Sequence, residues 1–197
     1  MDADLVQSAV RFLDAGEGVI LPSDTLYSLS VDATSYFAVS KLFSIKRRAA
    51  SKAVPVFFES IGQIKEFCDV TEVASRLAHL FWPGKLSIIL NHRHGLAENI
   101  SPTDKVAVRM PDSLIIRDII KALGKPITAT SANISGDTNH YDYEELKALF
   151  HDQVQLIING VIKHNALPST VVDCSQNEVK FLRIGAIPEC DIMAAVN

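Results

Sequence analysis

Residues 45–58 read IKRRAASKAVPVFF, and they impose a condition that few folds meet. Lys46, Arg47, Arg48 and Lys52 put four cations within seven residues, in a chain whose 23 Asp and Glu outnumber its 19 Lys and Arg. Val54–Phe58 follows at once, β-branched and aromatic, as a buried strand would be. A loop feeding a core strand holds its charges near the middle of the molecule rather than on a tail. Cations held there suit an anion with several charges, such as a polyphosphate. The same residues also suit the last turn of a helix, where Lys and Arg face the carbonyl end. This stretch alone leaves both readings open.

The 197 residues fit one domain of ordinary size, and 48% hydrophobic residues with 21% charged allow a substantial core. The pI near 5.8 argues against coating nucleic acid but permits a local basic cleft. No signal-peptide pattern opens the chain and no apolar run is long enough to span a membrane, so a cytoplasmic protein is expected. Cys68, Cys174 and Cys190 are far apart and odd in number, as expected of thiols in a reducing compartment. His92 and His94 lie in a polar loop without Cys or carboxylate at familiar spacing, so no structural zinc is expected there.

Helix and strand patterns alternate. Residues 4–15 form an amphipathic pattern stopped by Gly16 and Gly18. Val19–Leu21 is a short strand. PSDTLYSLSVDA then reads as strand–loop–strand with hydroxyls toward a cleft, although Pro, Ser and Asp also make plain turns. A helix at 35–45 delivers the chain to the cationic loop. Helices follow at 61–67 and from the N-cap Thr71 to Phe81, where Trp82-Pro83-Gly84 breaks the pattern. Lys85–Leu90 is a strand, and 92–104 a polar loop expected to be mobile. Val106–Met110 is a strand carrying Arg109, a charge that must face water, a partner or a ligand. Asp112 is expected to cap a helix over 114–123, ended by Gly124 and Pro126. The strand 126–130 empties into SANISGD, residues 131–137. Ligands bind at such strand ends in open α/β sheets, and an ordinary Asn/Ser/Gly loop looks the same. A helix at 142–150, a strand at 154–158, paired strands at 169–173 and 178–183, and a tail or short helix complete the chain. With no repeat or linker, the expectation is one α/β domain over 1–197: a twisted, mixed, mostly buried sheet with flanking helices.

Taken together, the stretches resemble the YrdC/Sua5 family, the threonylcarbamoyl-AMP synthases, from about Gly18 to Ile187. PSDTLYSLS, residues 22–30, is similar to the family's PTDTVYGLG-like opening. Lys46, Arg48 and Lys52 match a K-x-R…K motif that skips Arg47, which is therefore expected outside the cleft. WPGKLS (82–87) matches WPGPLT, and VAVRMPD (106–112) matches VxVRxPD. TSANISG (130–136) matches the TSANxSG segment with its S-x-N motif, Ser131 and Asn133. STVVD (169–173) matches as it stands, and LRIGAI (182–187) resembles LREGAI. The order and spacing carry the resemblance. Three positions depart from it. Ser28 stands for a usual Gly and is expected to alter the turn. Ala49 stands for a Pro, loosening the cationic loop, and Ile184 for a common Glu. The chain ends soon after LRIGAI, as the short bacterial-type form does.

The resemblance implies a twisted α/β fold around a large concave, basic cavity. It implies that L-threonine, bicarbonate or CO2, and ATP are converted to L-threonylcarbamoyl-AMP and pyrophosphate. A tRNA threonylcarbamoyl transferase complex would then modify adenosine at position 37 of tRNA. Lys46, Arg48 and Lys52 would clamp the phosphates. Lys46, Arg48, Ser131, Asn133 and Arg183 would bind ATP, and Thr25, Lys52, Arg109 and Ser169 would bind threonine or its carbamate. Mg2+ would come with ATP; no protein ligands are assigned to it, and only Asp24 is named as an aid. No covalent enzyme intermediate is expected. Two other readings stay open: a non-catalytic module holding tRNA or double-stranded RNA, and a divergent member with another carbamoyl acceptor.

Overall fold

The computed structural model describes residues 3–163 and 166–196. In chain order the elements are α1 (Ala3–Asp14), β1 (Val19–Pro22), β2 (Tyr27–Ser30), α2 (Tyr36–Lys46), β3 (Val56–Phe57), α3 (Ile61–Phe67), β4 (Cys68–Asp69), α4 (Glu72–Phe81), β5 (Leu86–His92), β6 (Lys105–Arg109), α5 (Leu114–Leu123), β7 (Ile127–Thr128), β8 (Thr130–Ser131), α6 (Tyr143–Phe150), β9 (Leu156–Ile157), β10 (Thr170–Asp173), β11 (Lys180–Arg183) and α7 (Glu189–Val196). Among the described residues, no helix is long and apolar enough to cross a membrane.

The α/β class and mixed pairing agree with the sequence, but the single sheet is two. One runs β8-β2-β1-β9; the other runs β11-β10-β5-β6-β3-β7, with β4 paired to β5. The division falls inside the expected strand 126–130. Ile127 and Thr128 pair with β3, whereas Thr130 and Ser131 pair with β2. Between them, the Ala129 N–H donates to the Pro55 carbonyl at 2.7 Å. Alternating side chains mark a strand but not its partner, so the switch was invisible in sequence.

The main core packs α2, α4 and the loops against the sheets around Leu42, Phe58, Leu77, Ile88, Val108 and Phe150. A second cluster lies under α1 and α5, joining Ala9, Leu13, Ile116 and Ile120 to Leu21 and Phe57. The amphipathic stripes of those two helices close on each other and on the strands.

Local chemistry sets the ends of α2. Ser35 accepts a hydrogen bond from Ala38 N at the start, and Arg47 takes the left-handed conformation (φ 49) at the finish. For α5, the N-cap is Ser113 rather than Asp112, and it makes no side-chain cap bond. The Ser113 hydroxyl is drawn instead to the Pro22 carbonyl, 3.0 Å away. The loop after β5 is pinned rather than free: Leu96, Ala97 and Ile100 are buried, and the Ala97 N–H donates to Ala33 O at 2.9 Å. Ser28 lies inside β2, and Arg47 and Asn177 are the described non-glycine residues with positive φ. Ser28 therefore imposes no turn strain.

Candidate active site

A cleft of about 380 Å3 opens between the two sheets. Phe57, Arg109, Ser87 and Val171 reach it from neighbouring strands of the larger sheet, and Ser28 and Ser131 from paired strands of the smaller one. Their neighbours in sequence, Ile88, Val108 and Val172, point into the core. Period-two alternation thus puts one face of each strand into packing and the other into the cleft.

Arg109 is the most enclosed cation of the wall, 5% exposed. Nε donates to Gly84 O at 2.7 Å, Nη1 to Thr25 Oγ1 at 3.0 Å and Nη2 to Asp24 Oδ1 at 2.5 Å. Its guanidinium lies over the Phe57 ring, 5.7 Å from the centroid. Burial pulls its pKa down, Asp24 pulls it up, and the charge of Arg183 pulls it down again. Thr25 is presented by a turn that Ser23 closes: Ser23 Oγ donates to Leu26 O and accepts from Thr25 N at 3.1 Å.

Two more guanidinium groups share the wall. Arg48 donates from Nη2 to Ala53 O at 2.7 Å, leaving its buried Nε without a partner among the described residues. Arg183 donates through Nε and Nη2 to Ser169 O, at 3.0 and 2.9 Å, and through Nη2 to Ser169 Oγ at 3.1 Å. Burial lowers the pKa of both. No Asp or Glu is among the described residues of the wall. Three cations with few counter-charges in a concave site attract an anion strongly.

The structure brings Thr25, Arg48, Arg109, Ser131, Ser169 and Arg183 together, but not Lys46, Lys52 or Asn133. Lys46 is 1% exposed, and its ammonium donates to Ser131 O, Asn133 O and Asn133 Oδ1. All its hydrogens are used inside the protein, where it braces the 131–137 loop. Asn133 is equally committed, accepting from Ser131 Oγ at 2.7 Å and donating to Asp137 O at 2.8 Å. Lys52 is exposed and off the wall, because the loop after α2 turns it outward. Arg47, skipped by the motif, is also exposed.

Ser23 and Ser28 line the cleft, where the hydroxyls of the PSDTLYSLSVDA segment were expected; Ser87 and Asn139 line it too and were not singled out by sequence. For Ser87 the signal was there: a hydroxyl within an apolar strand, the same kind of exception that marked Arg109. Among the described residues, no three His, Cys, Asp or Glu gather as metal ligands. Asp24 has one oxygen on Arg109, and its buried Oδ2 has no hydrogen-bond partner among the described residues.

The model of the Sua5/YciO/YrdC family, described as "Telomere recombination", matches residues 11–185. A relative from Methanocaldococcus jannaschii is 32% identical over 174 residues, covering 88% of this chain and 82% of the relative. The threonylcarbamoyl-AMP synthase of Pseudoalteromonas translucida is 25% identical over 182 residues, covering 90% of this chain and 97% of that protein. Pyrococcus abyssi Sua5, solved in complex with L-threonine, superposes with a TM-score of 0.92 at 30% identity, over 97% of this chain and 57% of its own. This chain thus spans little more than half of the Pyrococcus protein and nearly all of the Pseudoalteromonas one. Sequence and fold agree along almost the full length, and the chain belongs to the Sua5/YciO/YrdC family.

Proposed function

We propose that this protein is an L-threonylcarbamoyladenylate synthase, a nucleotidyltransferase that joins L-threonine, CO2 from bicarbonate, and ATP, and releases pyrophosphate. The observation that carries this reading is the cleft itself: Arg48, Arg109 and Arg183 in one wall, interleaved with the hydroxyls of Thr25, Ser131 and Ser169. The threonine amine adds to CO2 and loses a proton, giving a carbamate. A carbamate oxygen then attacks the α-phosphorus, and the bond to pyrophosphate breaks. Charge builds on the phosphoryl oxygens and the leaving group, so fixed cations and positioning supply the catalysis.

In this reading Arg48 and Arg183 face the phosphates, and Ser131 takes the nucleotide at the loop that Lys46 and Asn133 hold. Arg109, set by Asp24 and Thr25, takes the threonine carboxylate, with Ser169 beside it. Lys52 would join the phosphates only if its loop folds inward. Mg2+ brought with ATP would neutralise phosphate charge, and no side chain of the cleft is assigned to hold it. The product would pass in the cytoplasm to a tRNA threonylcarbamoyl transferase complex.

Pyrophosphate release is the test, with Mg-ATP and bicarbonate, with and without L-threonine, and with L-serine as control. Release that needs both L-threonine and bicarbonate supports the reading. Salt-sensitive RNA binding without release would replace it with an RNA-binding module.

A further inference from the structure

Ser87 is the one hydroxyl of β5, and it closes the WPGKLS stretch. Leu86 and Ile88, on either side, are fully buried, while Ser87 lines the cleft. Its Oγ lies 2.9 Å from Ser169 Oγ, which also accepts from Arg183 Nη2 at 3.1 Å. These two hydroxyls own two hydrogens. One closes the bond between them; the other has no acceptor among the described residues. The pair therefore presents one donor and spare lone pairs to the cleft, the complement of an alcohol, which is itself donor and acceptor.

Its place matters as much as its chemistry. Ser87 and Arg109 come one residue beyond the last β5–β6 pair, Ile88 opposite Val108, and both face the cleft. Adjacent strands lie about 4.8 Å apart. An α-amino acid held by its carboxylate on Arg109 would carry a β-hydroxyl a few bonds away, within the span to the serine pair.

We infer that Ser87, together with Ser169, reads the side-chain hydroxyl of the amino-acid substrate. The inference rests on the reading that the cleft takes L-threonine. Ser87 is then a specificity-determining contact: it favours a β-hydroxy amino acid over one of the same carbon skeleton without the hydroxyl.

The experiment compares L-threonine with L-2-aminobutyrate in wild type, Ser87→Ala and Ser87→Thr, measuring pyrophosphate release and calorimetric binding of each amino acid. Wild type is expected to prefer L-threonine. Ser87→Ala should lose about tenfold in kcat/KM for L-threonine, mainly through KM, as one hydrogen bond is worth. Its turnover of L-2-aminobutyrate should be nearly unchanged, and Ser87→Thr should keep the wild-type preference. Equal loss on both amino acids would reduce Ser87 to a structural role and overturn the inference. Unchanged preference in Ser87→Ala would overturn it as well, with the synthase reading intact. Wild type that neither binds L-threonine nor releases pyrophosphate with it would overturn that reading and the inference together.

Discussion

Lys46 and Asn133 are joined twice: Lys46 Nζ donates to the Asn133 carbonyl at 2.8 Å and to its Oδ1 at 3.1 Å. A third bond from the same ammonium goes to Ser131 O. One charge at the end of α2 thus fastens the loop that carries Ser131 into the cleft. Lys46→Met and Asn133→Ala are each expected to slow pyrophosphate release on the order of 100-fold, the cost of a misplaced binding group. Native circular dichroism alongside turnover checks this, and unchanged turnover would remove the bracing role.

Lys46 also predicts a pH dependence. Burial first, and the Arg48 charge second, lower its pKa to about 8. Above that value an amine with two hydrogens faces three acceptors, so ATP affinity is expected to fall as pH rises through about 8. Folding responds with the opposite sign. A charged Lys46 costs stability below about pH 8, and the cost fades as pH climbs toward the ordinary lysine value of 10.5. Calorimetric ATP titrations and urea midpoints across this range measure the two effects, and Lys46→Met should flatten both.

Arg109 and Asp24 form an ion pair whose side chains are 6% and 9% exposed. Arg109→Ala leaves Asp24 buried without its cation and is expected to cost about 3–5 kcal/mol. Arg109→Met combined with Asp24→Leu removes both charges. It should recover most of that stability and none of the activity. Urea unfolding and pyrophosphate release separate the two outcomes.

Arg48 is part-buried and Arg183 exposed, and both have spare donors toward the cleft. Each Arg→Ala change is expected to raise the KM for ATP about tenfold, the lower range for a charge-assisted contact. The salt dependence of that KM should become shallower, since one fewer charge is screened. Measuring the KM at low and physiological ionic strength tests both points.

Gly185 sits where a Cβ would lie 2.2 Å from Pro168 O and 2.7 Å from Ser169 O. Gly185→Ala must push apart the chain beside β10 and β11, for about 1–3 kcal/mol of destabilisation. Arg183 would lose its hold on Ser169 O, so the KM for ATP should rise as the Tm falls. Thermal unfolding and steady-state kinetics on the same preparation give both readouts.

Much of this molecule was legible in its sequence. Arg109 declared itself as a charge in an apolar strand, and Ser131 as a hydroxyl where a strand ends. Helices 61–67 and 72–81 followed from period and cap residues. Other features were hidden because their causes are not local. Pairs of residues on either side of Ala129 look like one strand, yet each finds a different sheet. The loop after β5 reads as polar and mobile, yet Ile100 and Ala97 anchor it from within. Ser87 stands as a hydroxyl in an apolar strand, but only the fold brings Ser169 within 2.9 Å of it.

The sequence by itself determined the α/β class, the family, and the set of residue types available for chemistry. Those depend on periodicity, caps and motif order, all read along the chain. Only the tertiary structure decided what each cation does. Arg48 and Lys46 sit two residues apart, yet one reaches the cleft and the other is spent on a loop 85 residues away. Hydrogen bonds choose their partners by distance in space, and a buried ammonium must satisfy every donor it has. That demand sends Lys46 to the 131–137 loop and leaves the arginines to line the cleft.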